Sequence, residues 1–141
     1  DKIKDVIETS KDIRLKNAQI IVSSPYTRAL QTASIISKET GLDIVVEPDI
    51  REWQPDLTYQ YKNSEEMQEY YNDYIKNDGV YPINEKRKWE TKEQLRNRVM
   101  SVINKYKDNY DKVIVVAHKM AFQSICDCGD MQPAEIFETI F

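Results

Sequence analysis

The sequence predicts an α/β fold: a three-layer sandwich in which a mostly parallel sheet carries helices on both faces. Ile20-Ile21-Val22, Ile44-Val45-Val46 and Val113-Ile114-Val115-Val116-Ala117 are continuous apolar runs, the pattern of strands buried on both faces. Between them lie segments with apolar residues at helical spacing. Strands that alternate with helices are joined by crossovers, and crossover helices cover both faces of a parallel sheet. With 141 residues and 40% hydrophobic content, the chain can bury one sizeable core, so a single domain over 1–141 is expected.

Each element has its own justification. Residues 1–16 carry Ile3, Val6, Ile7, Ile13 and Leu15 among charges, an amphipathic helical stripe with an irregularity at Thr9-Ser10. After the strand at Ile20, Ser24 is the natural N-cap and Pro25 fits the first position of a helix running to about Glu39. Leu30, Ala33, Ile35 and Ile36 are there to be buried, and Gly41 is its C-terminal stop. The strand at Ile44 follows at once, Pro48 ends its ladder, and Pro48 with Pro55 stiffens the loop 49–56. Tyr59, Tyr61, Tyr70, Tyr71, Tyr74 and Tyr81 crowd the segment 56–90. Within it a helix is expected from a Ser64 cap to about Asn77, then a loop from Asp78-Gly79 to Arg87. This helical and loop insert is the lid candidate, although a tyrosine stripe more often packs with its polar tips outward. Thr91 with Gln94 is a capping box for a helix to about Asn109, whose core stripe is Leu95, Val99, Val102, Ile103 and Tyr106. Beyond the strand at Val113, residues 120–126 read as helix, Gly129 breaks it, and 135–141 read as a final edge strand.

Composition excludes several functions. A net charge of −4 and a pI near 5.1 provide no basic field for nucleic acid or an anionic membrane, so an anionic ligand needs a local cluster of cations. No apolar run approaches the ~20 residues of a bilayer span and no signal peptide is visible, so a soluble cytoplasmic protein is expected. Cys126 and Cys128 are one residue apart, too close to staple a fold, and with a single distant histidine they make a poor metal set. Reduced thiols are expected, with neither metal nor cofactor.

Ligands of open α/β sheets sit outside the carboxyl ends of the strands. Ser23-Ser24 and His118 both fall there, each before a helix N-terminus, and Glu52 lies just past the end of a third strand. Arg28 is a cation close to the positive end of a helix dipole, a position explained either by an anion held between the two or by a guanidinium turned to solvent. On charge alone the second is favoured. A lone histidine is more often structural than catalytic, but one placed directly after a buried strand and beside an anion-binding helix has a better claim.

Ser23-Ser24-Pro25-x-x-Arg28-Ala29-x-Gln31-Thr32-Ala33 resembles the second signature of the histidine phosphatase superfamily, the phosphoglycerate mutase-like proteins. Arg51-Glu52-Trp53, Trp89-Glu90-Thr91 and Val115-Val116-Ala117-His118 extend the resemblance along most of the chain. It implies that Arg28, with Ser24, binds the transferred phosphoryl group and that His118 stabilises it. It implies that Glu52 is the acid/base carboxylate, protonating the leaving oxygen and then activating water, with no metal. The family's opening strand ends in Arg-His-Gly, whose histidine becomes the phosphohistidine, and that motif does not occur in these 141 residues. The chain begins with Asp1 rather than Met, so a preceding segment is expected to have been removed or not represented. Two departures stand out: Lys119 follows His118 where the family has Gly or a small residue, and Gln54-Pro55-Asp56 replaces Gly-rich sequence. The resemblance implies a phosphomonoester hydrolase or mutase acting on a small phosphorylated metabolite, in a chain that is inactive as it stands. The alternative is a phosphate-binding pseudo-enzyme or scaffolding domain.

Overall fold

The computed structural model describes residues 2–141. Its elements in chain order are α1 (Lys2–Thr9), β1 (Ile20–Ser23), α2 (Thr27–Thr40), β2 (Ile44–Val46), α3 (Ser64–Lys76), α4 (Lys92–Lys107), β3 (Val113–Val116) and α5 (Lys119–Gln123). The three strands form one parallel sheet in the order β2-β1-β3, with Ile21 opposite both Ile44 and Ile114.

Alternation along β1 divides the core in two. Ile21 points to the face where Ile114 and Val116 meet Ala29, Ala33 and Ile36 of α2. Ile20 and Val22 point to the other, where Ile50, Trp53 and Trp89 pack with Leu95, Val99, Val102, Ile103 and Tyr106 of α4. These are the three layers expected from the apolar runs. β1 is buried throughout because it is the central strand. β2 departs from the expectation of burial on both faces: it is an edge strand, and Val46 is 46% exposed.

The best-marked helix is α4, where the Thr91 hydroxyl accepts from the Gln94 amide (3.1 Å) and the Gln94 side chain accepts from the Thr91 amide (2.9 Å). Gly41 ends α2 in the left-handed conformation, φ 74°, with its N–H on the Ser37 carbonyl. Gly79, φ 66°, closes the turn after α3; a Cβ there would lie 2.9 Å from both the Tyr74 ring and Lys92 Cβ. That turn seats α3 on the core, where Trp89 packs against Tyr74 and Tyr81 and its ring N–H donates to Asp73 (2.8 Å).

Several boundaries differ from the sequence expectation. The first helix ends at Thr9 because the Ser10 hydroxyl bonds the Ile7 carbonyl (2.7 Å) and Asp12 caps a separate 3-10 turn over Ile13–Leu15. Of the expected stripe only Val6 is buried, and Asp1 lies outside the described residues. The N-cap of α3 is Asn63, whose side chain accepts from the Glu66 amide (2.9 Å), and Ser64 is the first helical residue. After Gln123, the Ser124 hydroxyl and Cys126 thiol turn back onto the Ala121 and Phe122 carbonyls, so α5 stops short of Cys126. Residues 135–141 form no strand. Thr9 bonds the Ala134 carbonyl (2.7 Å) and Arg14 the Ile136 carbonyl (3.2 Å), drawing this segment toward α1 rather than along the outer edge of β3.

Candidate active site

The sheet register creates the site. Ser23 of β1 pairs with Val116 of β3, and the Ser24 amide donates to the Val116 carbonyl (2.9 Å), so two neighbouring strands release Ser24 and His118 side by side. The Ser24 hydroxyl oxygen lies 2.7 Å from His118 Nε2, and a terminal nitrogen of Arg28 lies 3.1 Å from His118 Nδ1. A guanidinium can only donate, so Nδ1 accepts; the neutral ring then carries its proton on Nε2 and donates it to Ser24. Burial, reinforced by the charges of Arg28 and Arg98, pushes the His118 pKa down to about 4, so the ring is neutral near pH 7.

Ser24 does not cap α2 as expected. Its hydroxyl is committed to His118 and, more weakly, to the Tyr26 amide (3.3 Å); the helix begins at Thr27, and Tyr26 at the N-cap makes no side-chain capping bond. Pro25 accordingly precedes the helix, and Arg28 is its second residue. The Tyr26 ring lies 5.0 Å from the imidazole, with the Arg28 guanidinium 5.4 Å from its centre. Helix start, Arg28 and His118 thus surround a space to which the α2 dipole and the guanidinium both draw negative charge.

Glu52 reaches the same place from the other side. Its carboxylate accepts from the amides of Trp53 (2.9 Å), Ala121 (3.0 Å) and Met120 (3.2 Å), and so caps α5, the short helix that His118 begins. The loop carrying Glu52 is clamped by Arg98, which donates to both Glu90 oxygens (2.6 and 2.9 Å) and to the carbonyls of Asp49, Arg51 and Glu52. Glu90 is buried and also binds the Gln54 amide, while its carbonyl accepts the Trp53 ring N–H (2.7 Å). Gln54 then donates to the Tyr26 hydroxyl (2.8 Å), closing a ring of contacts from Glu52 back to the start of α2. Arg28, Glu52, His118 and Lys119 all line one groove of about 1190 Å³. Lys119, which follows His118 where the family has Gly or a small residue, is paired with Asp130.

The structure therefore brings together all four residues singled out from sequence: Ser24, Arg28, Glu52 and His118. Sequence reasoning passed over Tyr26 and Arg98, and met Gln54 only within the Gln54-Pro55-Asp56 departure, without a role. Arg98 carries a weak local signal, as a charge on α4 beside the hydrophobic stripe.

A family model, the histidine phosphatase superfamily (branch 1), matches residues 4–140. The chain belongs to this superfamily. A Bacillus subtilis (strain 168) protein, the uncharacterized phosphatase PhoE, is 32% identical over 120 residues, which is 84% of this chain and 56% of that protein. Among solved structures, this histidine phosphatase chain resembles mycobacterial glucosyl-3-phosphoglycerate phosphatase in complex with inorganic phosphate (TM-score 0.66, 15% identity, 87% of this chain and 64% of that one). It also resembles Bacillus stearothermophilus YhfR (TM-score 0.65, 19% identity, covering 86% and 61%) and the α-ribazole phosphatase of Shigella flexneri (TM-score 0.62, 17% identity, covering 85% and 60%). At these identities the structural likeness establishes the fold, and the chain spans less than two thirds of each relative. Among the described residues no helix is long and apolar enough to cross a membrane.

Proposed function

We propose that this chain carries the phosphate-binding and proton-transfer machinery of a phosphomonoesterase acting on a small phosphorylated metabolite. The observation that supports it is the junction of Arg28, His118 and Ser24 where β1 and β3 end against the start of α2. A phosphate ester entering there would accept from Arg28 in place of Nδ1 and would favour a proton on His118; the resulting imidazolium would stabilise charge on the transferring phosphoryl group. Glu52, on the same groove, is the general acid for the departing oxygen and the base for water. The two solved phosphatases whose names state a substrate act on phosphate esters of small molecules, in keeping with this class.

The phosphoryl acceptor is not among these residues in this reading. His118 is the single histidine and both of its ring nitrogens are engaged. The outer edge of β3 is unpaired among the described residues and runs directly to His118, so a strand added there would deliver its C-terminal end to the same crevice. The insert 56–90 is the lid of this site, resting through Tyr71 and Tyr74 on Trp53, the residue after Glu52.

The decisive experiment is thermal denaturation with increasing inorganic phosphate. A ligand that binds only the native state adds about 2.7 kcal/mol at a hundred times its Kd, so Tm should rise with phosphate. The rise should vanish in Arg28→Ala; an equal rise in that variant would remove the site.

A further inference from the structure

Cys126 and Cys128 flank Asp127 on the segment that follows α5, and both thiols are half-buried and free. The Cys126 thiol donates to the Phe122 carbonyl (3.2 Å), and a single residue, Asp127, separates it from Cys128. The segment is stitched to α5 at two further points. Gln123 donates to the Gly129 carbonyl (2.9 Å), and the Asp130 carboxylate pairs with Lys119, the residue after His118. Cys126, Lys119 and Asp130 line the same groove as Arg28 and His118. The dithiol therefore sits on the strap that pairs with Lys119, the residue after His118.

We infer that Cys126 and Cys128 form a reversible redox site, closed to a disulfide by exchange with a low-molecular-weight disulfide, and that closure loosens the Asp130 hold on Lys119. The half of this inference concerning phosphate rests on the reading of the Arg28–His118 site given above. In the first step the Cys128 thiolate attacks one sulfur of the small disulfide, whose S–S bond breaks to release one thiolate. In the second, the Cys126 thiol gives its proton to solvent and attacks Cys128 sulfur; the remaining small thiol leaves as a thiolate and takes up a proton. The protein loses two protons and two electrons, and the small disulfide takes them up to become two thiols. The order follows from the surroundings of Cys126, whose pKa burial and the neighbouring Cys128 thiol push up to about 11, making it the poorer first attacker. Ring closure across one intervening residue must pull Cys126 sulfur off the Phe122 carbonyl and rotate the Asp127 backbone, which displaces Gly129 and Asp130 from their partners on α5.

The test uses the reduced chain equilibrated with glutathione and glutathione disulfide, followed by peptide mapping. The expected product has lost two hydrogens within the peptide holding both cysteines, carries no glutathione and is reversed by dithiothreitol. Cys126→Ser should instead accumulate a stable glutathione adduct on Cys128. A wild-type chain that stays dithiol, or that retains glutathione on either sulfur, overturns the redox site. Inorganic phosphate is then titrated into both forms by calorimetry. The oxidised form should bind roughly two- to fivefold tighter, the scale of one exposed charge released from its partner, and Lys119→Met should abolish that difference. Equal affinities overturn the coupling to Lys119. Phosphate binding to neither form overturns the phosphate site and the coupling with it, while the mass measurement still decides the dithiol.

Discussion

Arg28 donates to Nδ1 of His118 across 3.1 Å, and this contact fixes the ring as a neutral tautomer with its proton toward Ser24. An anion accepting from Arg28 would free Nδ1 and place negative charge beside it, so ligand binding and protonation of His118 should be coupled. Because His118 is the single histidine, its C2 proton can be followed by NMR without assignment ambiguity. The midpoint should lie near pH 4 in the free protein and move up toward or beyond the ordinary value of 6.5 in saturating sulfate, whose charge is constant over this range. A midpoint that sulfate leaves unmoved would detach His118 from the anion site.

The same depressed pKa makes stability depend on pH, with a definite sign. His118 titrates near 6.5 when unfolded and near 4 when folded, so between those values the unfolded chain binds more protons. Its contribution is fully present above about pH 6.5 and is lost as pH falls toward 4. From pH 7 to pH 5 the loss should be about 2 kcal/mol. Urea denaturation of the native protein and His118→Gln at both pH values isolates it; an identical decline in the variant would assign the loss to other groups.

A third expectation concerns the Arg98–Glu90 clamp, whose carboxylate side chain is 3% exposed and guanidinium side chain 12%. Removing one member of such a buried pair leaves the other uncompensated and costs about 3–5 kcal/mol. Glu90→Gln should therefore destabilise strongly, and the double variant Glu90→Gln/Arg98→Met should recover part of the loss. Urea midpoints of the two single variants and the double variant measure this coupling; strictly additive losses would mean that the pair does not act as a unit.

What the sequence disclosed follows from the range over which its signals act. Continuous β-branched runs located the three strands within a residue, and the Thr91 and Gln94 pair located the start of α4, because both signals are complete within a few neighbouring residues. The start of α2 was misplaced because Ser24 can cap a helix only if its hydroxyl is uncommitted, and its partner is 94 residues away. The 135–141 segment has strand composition but forms its hydrogen bonds near α1, and composition alone does not name a partner. Ser24, Glu52 and His118 were legible through strand ends, and Arg28 through the family resemblance, since charge alone favoured a guanidinium turned to solvent. Arg98 was not, since its carbonyl partners lie 46–49 residues away on a loop whose path local pattern does not fix.

Glu52 offers the sharpest test, because its capping of α5 and its proposed proton transfer can be separated. As the cap of α5 it accepts from two amides of that helix and also from the Trp53 amide, and Glu52→Gln replaces one accepting oxygen with a donor that faces those amides. A stability loss of about 1–3 kcal/mol should follow, whatever the chemistry. If Glu52 is also the general acid, the variant should slow phosphoryl transfer in a way that depends on the leaving group. On the proposed function this is measured with a phosphoryl-accepting histidine supplied to the chain. An alkyl phosphate, whose alkoxide is strongly basic, should slow by something like 10²–10⁴-fold. An aryl phosphate with an acidic phenol should slow far less, because that oxygen can leave unprotonated. Single-turnover rates of the first step are the fair comparison, since a general-acid Glu52 would also activate water in the second. A merely structural cap would slow both esters alike, so equal losses would retain Glu52 as the anchor of α5 and remove it from proton transfer.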